Sequence, residues 1–170
     1  MDSLIRCELD YDPIMEQRLA EDAYRKLNEE QKSNFDIIDT AIMEDPHSAH
    51  FFLQGYAGTG KTFLYRTLNL PLLQAQAKIV LCVASSGIAA LLLPVEITSH
   101  SRFRIHLDIN ESSIRNIRKG SQLTALIEKT ALIIWDEVPM QHKYCFDAVS
   151  TTLADILGNE HPFGGIPVIL

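Results

Sequence analysis

A chain of 170 residues with 46% hydrophobic side chains has room for one domain with a sizeable core, and that composition marks it as globular. The net charge of -7 is unevenly spread: residues 1–50 carry five basic and thirteen acidic side chains, the other 120 carry ten and nine. A near-neutral core argues against coating nucleic acid by bulk charge, though not against a local strand-binding groove.

Residues 14–26 and 29–43 read as two helices, with Asn28 as the cap between them and Asp45-Pro46 ending the second. The apolar run 50–54 leads into glycines and suits a buried strand. Residues 62–70 fit a helix stopped by Pro71. A second buried strand spans 78–84, and a short helix spans 87–93 up to Pro94. Residues 95–122 are polar and mixed, and predict an irregular insertion with at most one helical stretch near 111–118. A third buried strand covers 131–135. The apolar stripe Phe146, Val149, Leu153 and Ile156 predicts a helix over 143–157, and a last strand begins at 166–170. Strands alternating with helices give an α/β class with a parallel sheet covered on both faces. No loop follows the last strand, so a truncated longer protein of modest stability and some aggregation tendency is expected. A break is placed between an acidic helical segment, 1–26, and the lobe proper, 27–170.

Cys7, Cys82 and Cys145 are odd in number, far apart and without a CxxC pair, which argues against a disulfide scaffold or a zinc site. The charged start MDSLIRCELDYD is not a secretory signal, and no stretch approaches membrane-spanning length without a charge or break. A soluble intracellular protein is the expectation.

Chemistry concentrates at four places. GYAGTGKT, residues 55–62, matches the phosphate-binding loop through Gly55, Gly60, Lys61 and Thr62, with Gly58 and Thr59 inside it. It follows a predicted strand and opens a predicted helix, so backbone N–H groups and the helix dipole can face phosphates. Lys61 would reach the β- and γ-phosphates and the Thr62 hydroxyl would ligate magnesium, which makes a nucleoside triphosphate with Mg²⁺ the expected ligand. In LIIWDE, Asp136 stands at a strand end where it can hold the Mg²⁺ shell, and Glu137 beside it can act as general base toward water. A solvated acidic turn is the alternative there, and Trp135 reads as core. Gln31 in LNEEQ can donate and accept at once, matching the N6/N7 edge of adenine; a solvated helix residue is its other reading. Ser85, Ser86, Thr98, His100, Arg102 and Phe103 could meet single-stranded DNA, by hydroxyls and arginine on phosphates and rings on bases. A capped helix and a basic loop would equally account for them.

LNEEQ, GYAGTGKT, ASSGIAALLL, TSHSRF, LIIWDEVPM and HPFGGIPVIL, in that order, resemble the petite-integration-frequency (PIF) family of DNA helicases, in wording nearest to plant Helitron-type proteins. The resemblance covers about residues 24–170. It implies a P-loop NTPase with a RecA-like sheet, of which this chain would be the first lobe. The implied activity is ATP-dependent 5′-to-3′ movement on single-stranded DNA with Mg²⁺, in DNA repair, recombination and genome maintenance, in the nucleus or alternatively the mitochondrion. By motif matching, Gln31 is similar to the family's adenine-reading glutamine, and Lys61, Thr62, Asp136 and Glu137 to its phosphate, magnesium and water-activating positions. Val95, Glu96, Ile97 and His106 depart from the family's usual residues, and Glu96 adds a negative charge near the expected phosphate path. The sensor motif and arginine-bearing second lobe that the family carries would follow residue 170, so an isolated chain is expected to hydrolyse weakly and not unwind. A small P-loop kinase and a transposon remnant without activity are the alternatives.

Overall fold

The computed structural model describes residues 3–8, 12–56, 58–76, 79–93, 97–105, 117 and 120–170. In chain order these form α1 (Ser3–Glu8), α2 (Pro13–Lys26), α3 (Glu29–Glu44), β1 (His50–Phe51), α4 (Lys61–Gln76) and β2 (Ile79–Ala84). There follow α5 (Gly87–Ala90), α6 (Ser99–Arg102), α7 (Gln122–Glu128), β3 (Thr130–Asp136), α8 (Lys143–Leu157) and β4 (Val168–Ile169).

Local chemistry sets most of these boundaries. The Asp12 carboxylate accepts the Ile14 and Met15 N–H groups, and Pro13 occupies the first turn of α2, where its missing donor does no harm. Asn28 and Gln31 form a reciprocal capping box at the start of α3, and Glu29 and Glu30 complement its dipole. Gly158 in the left-handed region stops α8. Pro71 does not stop α4: the helix runs on to Gln76, so the expected end at residue 70 is one and a half turns early. A proline removes a single N–H from the ladder, and the buried anchors Leu64, Tyr65 and Leu68 hold the helix onto the sheet. The segment 94–96 and residues 106–116, 118 and 119 lie outside the described residues, and with them all but residue 117 of the helical stretch expected near 111–118.

The strand order is β1-β4-β3-β2, with every pairing parallel. Because β2 and β3 are covered on both faces, their apolar side chains simply alternate between two cores. Val80, Cys82, Leu132 and Ile134 face Leu27, Ile38, Leu64 and Leu68 on one side. Ile79, Leu81, Val83, Ile133 and Trp135 face Ile5, Phe103, Leu126, Val149 and Leu153 on the other. Burying one such aliphatic side chain contributes about 1.5–3 kcal/mol. The final apolar run corrects an expectation. Strand β4 sits inside the sheet, with Val168 registered against both His50 and Ile133 and Ile169 against Phe51 and Ile134. Its backbone is paired on both sides, so the exposed-edge argument for aggregation does not apply to it.

The amino-terminal helix is joined to this core. Ile5 is buried in the second cluster, and Glu8 pairs with Arg102 at 2.5 Å, both side chains under a tenth exposed. The Arg102 Nε is buried without a hydrogen-bond partner among the described residues. Burial pushes the neighbouring Cys82 thiol up to about 12, with Glu8 adding to the rise and Arg102 opposing it. Glu8→Ala would strand a buried guanidinium charge, and a loss of about 3–5 kcal/mol is expected in urea unfolding. Replacing both partners, Glu8→Leu with Arg102→Met, should recover most of that loss. Equal, small losses in both variants would mean the pair is solvated in solution.

Candidate nucleotide site

The loop between β1 and α4 carries residues 55–62. Gly58 and Gly60 have φ of 82° and 84°, a left-handed conformation that only glycine adopts without strain. The loop is closed on itself by Thr59, whose hydroxyl donates to the Tyr56 carbonyl at 2.8 Å. Lys61 belongs to the first turn of α4, and its ammonium folds back to donate to the Gly55 and Tyr56 carbonyls. Thr62 follows it on the same turn, half-buried.

Gln31 reaches this loop from α3. Its amide Nε2 donates to the Thr59 carbonyl at 3.0 Å, and its Oε1 accepts the Asn28 N–H at 3.0 Å. The sequence left Gln31 between a solvated surface residue and a nucleotide contact; here it touches the phosphate loop. A cavity of about 520 Å³ opens there, bordered by Gln31, Asn34, Gln54, Tyr56 and Lys61. Asn34, one helical turn beyond Gln31, was not singled out from the sequence; the i, i+3 spacing on one helix face is the signal that could have found it. A Cβ on Gly60 would lie 2.5 Å from the Gln31 Nε2. Gly60→Ala is therefore expected to distort the loop, with strain of about 1–3 kcal/mol, and to weaken binding of an ATP analogue at least several-fold. An unchanged fluorescence titration would show that the loop does not need this conformation.

The acidic pair stands at the carboxyl end of β3, which β4 separates from β1. The Asp136 Oδ1 accepts the Glu137 N–H at 2.9 Å. Glu137 is exposed and has φ of 60°, a strained setting for a residue with a side chain. The 3₁₀ turn Val138–Met140, stiffened by Pro139, follows at once, and the Met140 N–H donates to the Glu137 carbonyl at 3.0 Å. A second cavity, of about 420 Å³, is bordered by Gly55, Lys61, Tyr65, Asp136 and Glu137. The parallel sheet thus brings the loop lysine and both carboxylates to one edge. Burial and then the nearby Asp136 charge hold the Tyr65 hydroxyl far above its ordinary range, so it stays neutral beside them.

The residues expected to meet DNA divide. Arg102 is buried against Glu8, and Phe103 is 1% exposed, tilted against Trp135 at 5.6 Å. Neither reaches a strand on the surface, which corrects that part of the expectation: the amino-terminal helix supplies a carboxylate to the one, and the second core absorbs the other. Trp135 is wholly buried, as read from the sequence. Ser86 and Thr98 cap α5 and α6 through the Ala89 and Ser101 N–H groups. His100 is half-buried and Ser101 exposed. Ser85 is tied inward: its N–H and its hydroxyl both donate to the Asp136 carbonyl, and it accepts from the Trp135 Nε1 at 3.3 Å. Positions 95, 96 and 106, where the sequence departs from the family it resembles, lie outside the described residues, whereas the Ile97 carbonyl accepts the Ala84 N–H.

Comparison with known proteins follows the same landmarks. An ATP-dependent DNA helicase Pif1 from Psychrobacter sp. (strain PRwf-1) is 33% identical over 143 residues, 82% of this chain and 20% of that protein. An ATP-dependent DNA helicase PIF7 from Trypanosoma brucei brucei is 32% identical over 152 residues, 85% of this chain and 14% of that one. The chain thus spans a fifth or less of the length of these two relatives. Among solved structures, Pif1 helicase from Candida albicans superimposes with a TM-score of 0.71 at 26% identity, over 84% of this chain and 31% of that one. Pif1 helicase from Bacteroides, in complex with ADP-AlF3 and single-stranded DNA, gives 0.67 at 27% identity, over 84% of this chain and 31% of that one. The fold is therefore the RecA-like P-loop fold of those helicases. A family model described as PIF1-like helicase matches residues 26–170, which includes the phosphate loop, the acidic strand end and the PFGG turn. The chain belongs to the PIF1-like helicase family.

Proposed function

We propose that this chain is the nucleotide-binding lobe of an ATP-dependent DNA helicase of the 5′-to-3′ type, acting on single-stranded DNA. The observation that carries the reading is the shared cavity bordered by Lys61, Asp136 and Glu137. A cation for phosphates and an exposed carboxylate for water on one wall is what ATP hydrolysis requires. The complex of a family member with ADP-AlF3 and single-stranded DNA supports both ligands. DNA repair and recombination, in the nucleus or the mitochondrion, are the settings this reading favours.

Each residue then has a task. Lys61 leaves the Gly55 and Tyr56 carbonyls for the β- and γ-phosphates, and the loop N–H groups bind the same oxygens. Gln31 offers its amide to the adenine edge, giving up a bond to Thr59 or Asn28 to do so. Asp136 and Thr62 present hard oxygen donors, a set that fits magnesium, and Asp136 keeps one oxygen beyond its bond to the Glu137 N–H. Magnesium bound there would neutralise charge on the phosphate oxygens. Glu137 accepts the proton of the water that attacks the γ-phosphorus, and ADP departs as the leaving group. A kinase would have little use for a water-activating carboxylate so placed.

Phosphate release with and without a dT oligomer tests the reading. Slow release that single-stranded DNA accelerates is the expected result. Transfer of the phosphoryl group to an alcohol acceptor in place of water would favour the kinase. Nucleotide binding with no release under either condition would contradict the helicase assignment.

A further inference from the structure

The turn that carries Glu137 is held at both ends by serines from the neighbouring β2–α6 region. At its start, Ser85 closes on the Asp136 carbonyl through its N–H at 3.1 Å and its hydroxyl at 3.3 Å. At its end, the Ser99 hydroxyl donates to the Gln141 Oε1 at 3.1 Å. Ser99 is fully buried, so water does not compete for that bond. Between the two anchors the chain has little slack. Glu137 sits in the left-handed region, Pro139 fixes one φ, and the Gln141 N–H closes onto the Val138 carbonyl at 2.9 Å.

The other side of α6 faces out. Thr98 is half-buried and bridges in parallel to Ala84 at the end of β2, Ser101 is exposed and His100 is half-buried. A ligand that presses on this short helix therefore moves Ser99, and through Gln141 it moves the turn. We propose that Ser99 and Gln141 are positioning residues that couple single-stranded DNA at the α5–α6 edge to the setting of Glu137 and to nucleotide affinity. This rests on the reading that the site takes ATP and that this edge takes single-stranded DNA. The link is a physical one, a hydrogen bond between elements 42 residues apart in sequence, and linkage makes it reciprocal.

The test measures the affinity of the chain for a fluorescent, non-hydrolysable ATP analogue with magnesium, alone and with a saturating dT oligomer. Wild type is expected to bind the analogue about fivefold tighter or more when DNA is present, the lower range of allosteric coupling. Ser99→Ala and Gln141→Leu should each abolish that shift while leaving each ligand's affinity alone unchanged. Gln141→Glu should restore it, because a carboxylate oxygen still accepts the Ser99 hydroxyl. Rescue of this kind separates positioning from mere folding support, and urea midpoints measured alongside identify a variant that fails to fold. If Gln141→Leu keeps the wild-type shift, the proposal is overturned. It is overturned equally if wild type binds both ligands with no mutual effect. If wild type binds neither ligand, the helicase reading itself falls, a result that cannot be confused with the other two.

Discussion

Lys61→Ala is expected to remove most ATP binding and leave the fold standing. Among the described residues the ammonium is held only by the Gly55 and Tyr56 carbonyls, so it contributes little to the core. With nucleotide bound, the same group would make charge-assisted bonds to phosphate oxygens, and losing one costs about 1.5–3 kcal/mol, a factor of ten or more in affinity. Neither Asn34 nor Gln54 on the cavity wall can supply the missing positive charge. Titration of a fluorescent ATP analogue against wild type and variant checks this, with urea unfolding run beside it. Equal affinities would remove Lys61 from the site.

Glu137→Gln is expected to separate binding from chemistry. The amide has nearly the shape of the carboxylate and can keep the left-handed backbone, so analogue affinity should stay at the wild-type value. It cannot take a proton from water, and removal of a positioned base lowers the rate by about 10²–10⁴-fold. Single-turnover phosphate release, measured with the dT oligomer present, reads the difference. Wild-type release by the variant would make Glu137 a structural turn residue. Asp136 makes a useful contrast. Its carboxylate also accepts the Glu137 N–H, so Asp136→Ala should disturb both nucleotide affinity and the turn, whereas Asp136→Asn, whose amide oxygen still accepts that N–H, should lower affinity and spare the turn.

Much of the candidate site was legible in the sequence because its signals are local. The glycines at 58 and 60, the lysine after them and an acidic pair closing an apolar strand each announce a backbone shape or a charge in a few consecutive residues. Helices α2, α3 and α8 were legible for a similar reason: caps and a periodic apolar stripe are near-neighbour patterns. The rest depends on contacts between distant segments. Helix α7 was not read at all, since its apolar residues Leu123, Leu126 and Ile127 form a run of only seven residues between the polar stretch 95–122 and the strand read at 131–135, too short to show a periodic stripe. Only His50 and Phe51 of the apolar run 50–54 register as a strand, against Val168 and Ile169, and beyond them the contact narrows to the Leu53 N–H on the Leu170 carbonyl. The central place of β4 is likewise a matter of topology, which a terminal run of apolar residues cannot reveal.

The edge expected to meet DNA shows the same limit from the other side. Arg102 and Phe103 have the composition of a strand-binding loop, yet a carboxylate 94 residues away and a tryptophan from β3 take them inside. Residue type gave the chemistry each could perform, and the tertiary partner decided whether it is on offer. Ser85 shows it in reverse. It read as a hydroxyl for a DNA phosphate, and it proves to be tied to the turn of Asp136 and Glu137.

The most direct measurement is a crystal structure of the chain with magnesium and a non-hydrolysable ATP analogue. Phosphates are expected within the loop of residues 55–62, with Lys61 turned from the Gly55 and Tyr56 carbonyls onto the β- and γ-phosphates and adenine beside Gln31. Magnesium would lie between the phosphates and the oxygens of Thr62 and Asp136, with the Glu137 carboxylate facing the water in line with the γ-phosphorus. Nucleotide seated elsewhere, or seated in the loop with Lys61 still on its own backbone and Asp136 without metal, would contradict this arrangement.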